Sequence, residues 1–342
     1  MQMTAKPATT ARIQALDFTK GVLVLFMVFY HWLNYFIGTT NLDYRYLRFL
    51  TPSFIFIAGF LISHVYLSRY KASDPGVSKR LLTRGAKLLL MFIALNVARE
   101  ILMSKSSNGT MVPYQLSASN LWDIFVVGNV PVADGKVVAF SILIPIGYVL
   151  ILSSGLLSLY KHFKYTFHAT FALFLLCIVT QSLRGSRSPN LELVAIGLLG
   201  VLVGFIPDPE LNHFVRHPYL FVLSYIAYLL TISVWNVPFV LLIVGVCLTL
   251  WGIYLLGLKD AAASWIRRRI ILLGRHSLFG YIAQIAILQV LSAALRQMDF
   301  RIGVIGISFI AAFALTMAAV EVVEHAMKRS IIAGRLYKVA FA

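Results

Sequence analysis

Long apolar stretches recur along this chain, and they restrict its possible folds more than any other feature of the sequence. They begin near Phe18 and continue into the C-terminal region, separated by polar or basic segments. Hydrophobic residues make up 59% of the 342 positions and charged residues only 13%, whereas soluble domains are about half apolar and a quarter charged. Because lipid offers the backbone no hydrogen bonds, we expect these stretches to cross a membrane as α-helices.

The apolar stretches predict about ten spanning helices, since about 20 mostly apolar residues cross a bilayer. We place them near residues 18–37, 51–67, 86–103, 137–159, 166–183, 191–206, 218–235, 238–257, 270–293 and 302–325. The predicted fold is an all-α, polytopic helical bundle. We expect a cytoplasmic N-terminal tail at 1–17, a membrane domain at 18–327 and a cytoplasmic C-terminal tail at 328–342.

The positive charge of the chain follows this predicted topology. The formal net charge is +17, and most Lys and Arg residues fall in alternate segments between the apolar stretches, as the positive-inside rule requires of cytoplasmic loops. The pattern predicts that both termini are cytoplasmic. It explains the charge without a nucleic-acid partner and leaves the lipid bilayer as the partner that the composition requires.

The sequence contains no motif that is typical of a metal site or of a serine hydrolase. Cys177 and Cys247 lie within apolar stretches, and no set of His, Cys, Asp and Glu has the spacing of metal ligands. No Gly-rich phosphate loop and no Gly-x-Ser-x-Gly elbow is present. We therefore expect no metal and no serine-hydrolase triad.

The connection between Ser104 and Lys136 is long and contains the run from Asn120 to Phe125. Its Trp122 and Phe125 fit a short helix lying at the membrane surface. An ordinary loop with one aromatic anchor fits equally well, and the sequence leaves both interpretations open.

Polar residues line one face of the first predicted helix. Lys20 and His31 are 11 residues apart, which at 100° per residue places them within about 20° of each other and about 16 Å apart along the axis. Asp17 and Asn34 lie about 40° and 60° to either side. Burying a charge or an imidazole in a bilayer is costly, so a polar stripe of this kind usually faces water or a ligand. An alternative stays open, in which Asp17 and Lys20 meet the inner headgroups and His31 pairs with a neighbouring helix.

The pattern Leu16-Asp17-x-x-Lys20-Gly21 followed by His31 resembles the first helix of the acyltransferase-3 family and its relatives. These relatives include glucan succinyltransferases and heparan-alpha-glucosaminide N-acetyltransferases. In that family an Asp and an Arg-Gly pair open the helix, and a His lies ten intervening residues beyond the Arg. Here Lys20 takes the Arg position, which keeps the positive charge but loses the planar fork that grips phosphate.

Other segments are similar to the same family. The run from Pro52 to Ser63 resembles its aromatic-rich second helix, and the run from Lys79 to Arg84 resembles its basic inner segment. Ser277 and Tyr281 fit a Ser-x-x-x-Tyr-x-x-His pattern in which this chain has Gln284 at the His position. That departure removes an ionisable group.

The resemblance implies a membrane-bound acyltransferase of a bacterial inner membrane. It would move an acetyl or similar short acyl group from a cytoplasmic CoA thioester to a hydroxyl or amine of an extracytoplasmic carbohydrate or lipid-linked sugar. His31 would act as the general base with Asp17 as the second catalytic residue. The remaining roles are donor binding by Lys20, Arg80, Arg84, Arg275 and Ser277, and acceptor binding by Asn34, Arg99, Glu100, Tyr281 and Gln284. Direct attack and a short-lived acyl-His31 both fit the sequence.

Several of these residues have a second interpretation. Asp17 either orders Lys20 through an i,i+3 ion pair or serves as a carboxylate at a helix N-terminus. Arg80 and Arg84 are also what any cytoplasmic segment would carry, and Arg99 with Glu100 would form a salt bridge at the interface. We expect the histidines near inner helix ends to meet lipid headgroups, namely His64, His276 and His325.

A transporter without acyl chemistry is the alternative function, because polar residues inside a bundle also mark permeation paths. A homo-oligomer is compatible with either function. The transporter alternative would gain support from broken, glycine-interrupted helices in corresponding halves of the chain, and we find no such pair.

Overall fold

The computed structural model describes residues 13–38, 43–67, 74–106, 118–128, 139–206, 218–235, 238–258, 264–295 and 302–341. In these ranges the chain forms helices and no strands. The α-helices are α1 (Gln14–Phe36), α2 (Leu50–Leu61), α3 (Pro75–Ser106), α4 (Ala118–Trp122), α5 (Leu143–Tyr160), α6 (Thr166–Leu183), α7 (Pro189–Val203), α8 (Pro218–Val234), α9 (Phe239–Leu258), α10 (Trp265–Arg275), α11 (Ser277–Leu295), α12 (Ile302–Arg329) and α13 (Ile331–Phe341).

Short non-α helical segments adjoin two of these helices. A 3₁₀ helix, Asp43–Leu47, precedes α2, and a π-helical turn, Ile62–Leu67, continues it. A second π-helical turn, Asp123–Val127, continues α4. The run from Asn120 to Phe125 is therefore helical, and the interpretation of this segment as an ordinary loop is wrong.

The predicted all-α polytopic fold is confirmed. Eight helical segments of the described chain are long and apolar enough to span a membrane. Two of the predicted spans form shorter apolar helices, Pro189–Val203 and Tyr219–Val234. Each predicted stretch thus coincides with a helix, and the cytoplasmic placement of the termini stays a prediction.

The predicted span at 270–293 is wrong in one respect, because it contains two helices. α10 ends at Arg275, and His276 at its C-cap leaves the helical region with φ −110° and ψ 30° before α11 begins. α10 carries Arg267, Arg268 and Arg269 near its start. It is therefore too short and too basic to cross a membrane by itself. Periodicity alone does not reveal this break.

The chain divides into two compact units. The first unit contains α1, α10, α11, α12, the end of α9 from Thr249 and the beginning of α13. The second unit contains α2 to α8 and the part of α9 up to Leu248.

Two glycines bring α1 and α10 into backbone contact in the first unit. A Cβ atom added to Gly21 would collide with the carbonyl of Ile270, and one added to Gly274 would collide with the carbonyl of Asp17. Both positions therefore require glycine, because any side chain would force the two helices apart. The contact explains why a glycine follows Lys20 in the motif of the first helix.

An aromatic cluster fixes the other half of α1. Val28, Trp32 and Phe36 pack with Leu288 of α11 and Ala312 of α12. The Trp32 indole Nε1 donates a hydrogen bond of 3.0 Å to the Ser308 hydroxyl. The indole is thus satisfied inside the apolar contact, and α1 is held along its length by α10, α11 and α12.

In the second unit, side chains of α7 and α5 bind the carbonyl end of the α4 segment. The Asn190 amide donates to the carbonyls of Ile124 at 3.1 Å and Phe125 at 3.0 Å. The Ser188 hydroxyl donates to the Val127 carbonyl at 3.0 Å. From α5, the Tyr148 hydroxyl donates to the Phe125 carbonyl at 2.7 Å. These donors satisfy the carbonyls that a helix leaves without partners at its C-terminus. We call this contact the α4 clamp.

Candidate functional site

Asp17 and Lys20 form an ion pair near the start of α1. The Lys20 Nζ lies 2.7 Å from the Asp17 Oδ1, and Asp17 is 4% exposed. The predicted i,i+3 pair is confirmed. α10 packs against this part of α1, with Gly274 against the Asp17 backbone. The pair holds the ammonium of Lys20 close to the helix, so an incoming phosphate would share this cation with Asp17.

His31 lies on the same helix, with its ring between two tyrosines. Its ring centroid is 5.2 Å from that of Tyr30 and 6.3 Å from that of Tyr281 in α11. The Nε2 atom is buried and has no hydrogen-bond partner among the described residues. The alternative in which His31 pairs with a neighbouring helix therefore holds for a ring contact but not for a hydrogen bond from Nε2.

Gln284 has no exposed surface, and its two amide atoms lack hydrogen-bond partners within the described chain. Tyr281, one turn earlier on α11, is 8% exposed. Native proteins pair most of their buried polar groups, and an unpaired one costs about 1–3 kcal/mol. An imidazole nitrogen and an amide are thus left without protein partners on two helices that pack together, and we treat this contact as the candidate site.

The other site residues predicted in the first unit differ in burial from His31 and Gln284. Asn34 is exposed, so the polar stripe predicted on α1 does not continue as a buried face beyond His31. Arg275 is exposed and Ser277 half-buried, and they flank the junction between α10 and α11. Their proposed role in donor binding stays a prediction.

Between them, His276 has a role that the sequence interpretation missed. His276 is 6% exposed, and its Nε2 lies 2.9 Å from the Glu324 Oε2. Glu324 also pairs with Lys328 at 3.0 Å. The expectation that His276 meets headgroups is wrong, because its ring is bound to α12. The available signal was Glu324 itself, a carboxylate at the inner end of a predicted span.

The second unit holds the remaining predicted residues. Arg80 and Arg84 are exposed on α3, and the Arg84 guanidinium lies 5.5 Å from the centre of the Tyr66 ring. Arg99 is half-buried. The side chain of Glu100 lies outside the described residues. The structure therefore places the predicted donor-binding and acceptor-binding residues of α3 in a different unit from His31.

Acidic, histidine and cysteine side chains do not gather at any metal site in the part of the chain that the structure describes. Two acidic residues of the first unit form ion pairs, Asp17 with Lys20 and Glu324 with His276 and Lys328. The chemistry that these described residues offer is proton transfer and hydrogen bonding.

Comparison with known proteins gives one match. Residues 12–108 match the family described as heparan-alpha-glucosaminide N-acetyltransferase, catalytic. No curated protein and no solved structure matches the chain significantly. The matched part is less than a third of the chain; it contains Asp17, Lys20 and His31 and ends before α10 and α11. This part of the chain is thus similar to a membrane acetyltransferase, and the similarity points to an acetyltransferase enzyme.

Proposed function

We propose that the protein is an acyl-CoA-dependent acyltransferase of a bacterial inner membrane. It transfers an acetyl or similar short acyl group from a cytoplasmic CoA thioester to a hydroxyl or amine of an extracytoplasmic carbohydrate. The family match covers the helix that carries His31, which supports acetyl transfer. The specific donor, the acceptor and the membrane are part of the proposal.

The observation that carries the proposal is the His31 Nε2, which is buried without a hydrogen-bond partner among the described residues. Ionisable side chains inside membrane helices are rare and usually functional. A neutral imidazole accepts a proton near neutral pH, so an available Nε2 fits a general base. Structural histidines in the same unit differ, since His276 is bound to Glu324.

In the proposed reaction, the His31 Nε2 takes the proton from the acceptor hydroxyl or amine. The acceptor oxygen or nitrogen then forms a bond with the thioester carbonyl carbon. The carbon–sulfur bond breaks, and the CoA thiolate leaves and takes up the proton from the imidazolium. Such proton transfer contributes about 10²–10⁴-fold to the rate.

The donor's phosphates would bind basic groups on the cytoplasmic side. In the first unit these groups are Lys20, which also holds Asp17, and the exposed Arg275. Arg80 and Arg84 stay predicted donor-binding residues. Asn34, Arg99, Glu100 and Tyr281 stay predicted acceptor-binding residues.

The test uses the full chain in proteoliposomes, supplied with labelled acetyl-CoA and a panel of amino sugars and neutral glycans. The wild type should release CoA and label a sugar, whereas His31→Gln should lower the rate by about 10²–10⁴-fold. His168→Gln is the matched control, because His168 is an exposed histidine of α6. Equal transfer by His31→Gln would show that the imidazole has no catalytic role. Glycan movement without acyl transfer would identify the transporter alternative.

A further inference from the structure

The resemblance implies acceptor binding for Gln284, but the reaction described above gives its buried amide no role, and its surroundings suggest a different one. A glutamine amide has an oxygen that accepts hydrogen bonds and a nitrogen that donates two. In Gln284 neither atom has a partner among the described residues, and the side chain is 0% exposed. A buried group in this state needs a ligand that offers both a donor and an acceptor.

Three residues of α11 at intervals of four locate this amide against α1. A Cβ atom added to Gly280 would lie 3.4 Å from Val24, and Leu288 packs in the same cluster as Val28. Residues four apart lie on one face of a helix, so Gln284, midway between them, also faces α1. It lies beside the α1 turn that precedes His31.

His31 meets the same part of α11. Its ring lies 6.3 Å from the ring of Tyr281, and Gln284 follows Tyr281 by one helical turn. The orphaned imidazole nitrogen and the orphaned amide therefore lie in one contact between α1 and α11.

We propose that Gln284 binds the secondary amide in the thiol arm of the acyl donor and thereby places the thioester carbonyl at His31. This inference rests on the proposed function. In a CoA thioester the first amide of the arm is separated from the sulfur by two methylene groups. Its carbonyl and N–H match the donor and acceptor of the Gln284 amide. The short spacing between this amide and the thioester suits two orphaned groups that lie in the same contact between α1 and α11.

The test compares two small donors that share every group except one. One is S-acetyl-N-acetylcysteamine, which contains the amide, and the other is its ester analogue, in which oxygen replaces the N–H. The wild type should prefer the amide donor by about tenfold in kcat/KM, as expected for one buried hydrogen bond. In Gln284→Met, which keeps the length of the side chain without its polar atoms, the preference should fall to about one.

The ratio of two rates from one preparation is independent of the folded fraction, so partial unfolding of the variant does not obscure it. Gln289→Met is the matched control, because the Gln289 amide nitrogen is also buried without a partner among the described residues. Gln289 lies about 140° around the same helix from Gln284, so this variant should keep the preference. If Gln284→Met keeps the preference, or if only its KM for the sugar acceptor changes, the amide does not bind the donor arm. That result would leave the proposed function intact. Absence of His31-dependent transfer from acetyl-CoA would instead overturn the proposed function and this inference with it.

Discussion

Two helix contacts in this protein differ in whether their buried polar side chains have hydrogen-bond partners. In the α4 clamp, the Asn190 amide donates to two backbone carbonyls, and Ser188 donates to a third. In the contact between α1 and α11, the Nε2 of His31 and the whole amide of Gln284 have no partner among the described residues. The two contacts use similar side chains in similarly apolar surroundings.

On the proposed function, the polar groups of the clamp stabilise the fold, whereas those of the α1–α11 contact bind a ligand. The clamp offsets the cost of helix carbonyls that would otherwise lack donors. The α1–α11 contact retains a cost of about 1–3 kcal/mol for each unpaired group. Proteins keep such costs where function needs them. Substitutions in the two contacts should therefore have opposite effects on stability and on activity.

The largest effect is expected for His31→Leu. Acyl transfer should fall by at least about 10²-fold because the proton acceptor is lost, while stability should stay unchanged or rise because an unpaired buried nitrogen is removed. Transfer rates in proteoliposomes and thermal unfolding in detergent measure the two quantities. A lower unfolding temperature together with normal transfer would show that His31 stabilises the fold and does not take part in catalysis.

The next effect is expected for Gly274→Ala. The new methyl group would collide with the Asp17 carbonyl, so we expect a loss of about 1–3 kcal/mol in the free energy of unfolding. Gly155→Ala is the matched control, because Gly155 is also helical and an added Cβ meets no atom within 4 Å. That control should gain up to about 1 kcal/mol from helix propensity. Equal stability of the two variants would contradict the close contact of α1 and α10.

Asn190→Ala should act on stability alone. Removing the amide leaves the Ile124 carbonyl without this donor, so the free energy of unfolding should fall by about 1–2 kcal/mol. The transfer rate per folded molecule should be unchanged. Asn190→Asp should be the more destabilising variant, since it places an acceptor against carbonyl oxygens. If the alanine variant lost activity at unchanged stability, the clamp would be part of the functional site.

The smallest effect is expected for Lys20→Arg, which restores the residue that the acyltransferase-3 resemblance leads one to expect. A guanidinium can keep Asp17 with one N–H group and offer the others to a phosphate. We expect the KM for acetyl-CoA to fall by up to about fivefold, the scale of a partly exposed ion pair, with little change in kcat. A rise in KM would argue that Lys20 serves only to hold Asp17.

Much of the fold was accessible from the sequence because its evidence is local. The apolar stretches located the spanning helices, and the predicted bounds of α6 match Thr166–Leu183. The bounds of α3 were less accurate, since it begins at Pro75 and not at residue 86. The spacing of Asp17 and Lys20 on one helix also allowed an ion pair as one of two interpretations, and the structure has this pair at 2.7 Å. In each case the residues involved are separated by no more than one helix length.

The candidate site was only partly predictable. The stripe on α1 identified His31, but the isolation of its Nε2 depends on which side chains of α11 face it. In the sequence, Gln284 was noted because it replaces the His of a family pattern. Its neighbours along the chain do not indicate that its amide is unpaired. Arg84 and Arg99 were grouped with His31 by chemistry, whereas the structure places them in the second unit.

The sequence by itself determined that this protein is a bundle of membrane helices, because a backbone in lipid must satisfy its hydrogen bonds within each helix. Tertiary structure alone decided that α10 separates from α11 at His276, that this ring binds Glu324, and that Gln284 meets no protein partner in the described chain. The physical reason is the range of the interactions. Helix formation follows from residues a few positions apart, whereas the pairing or isolation of a buried polar group depends on helices distant in the chain.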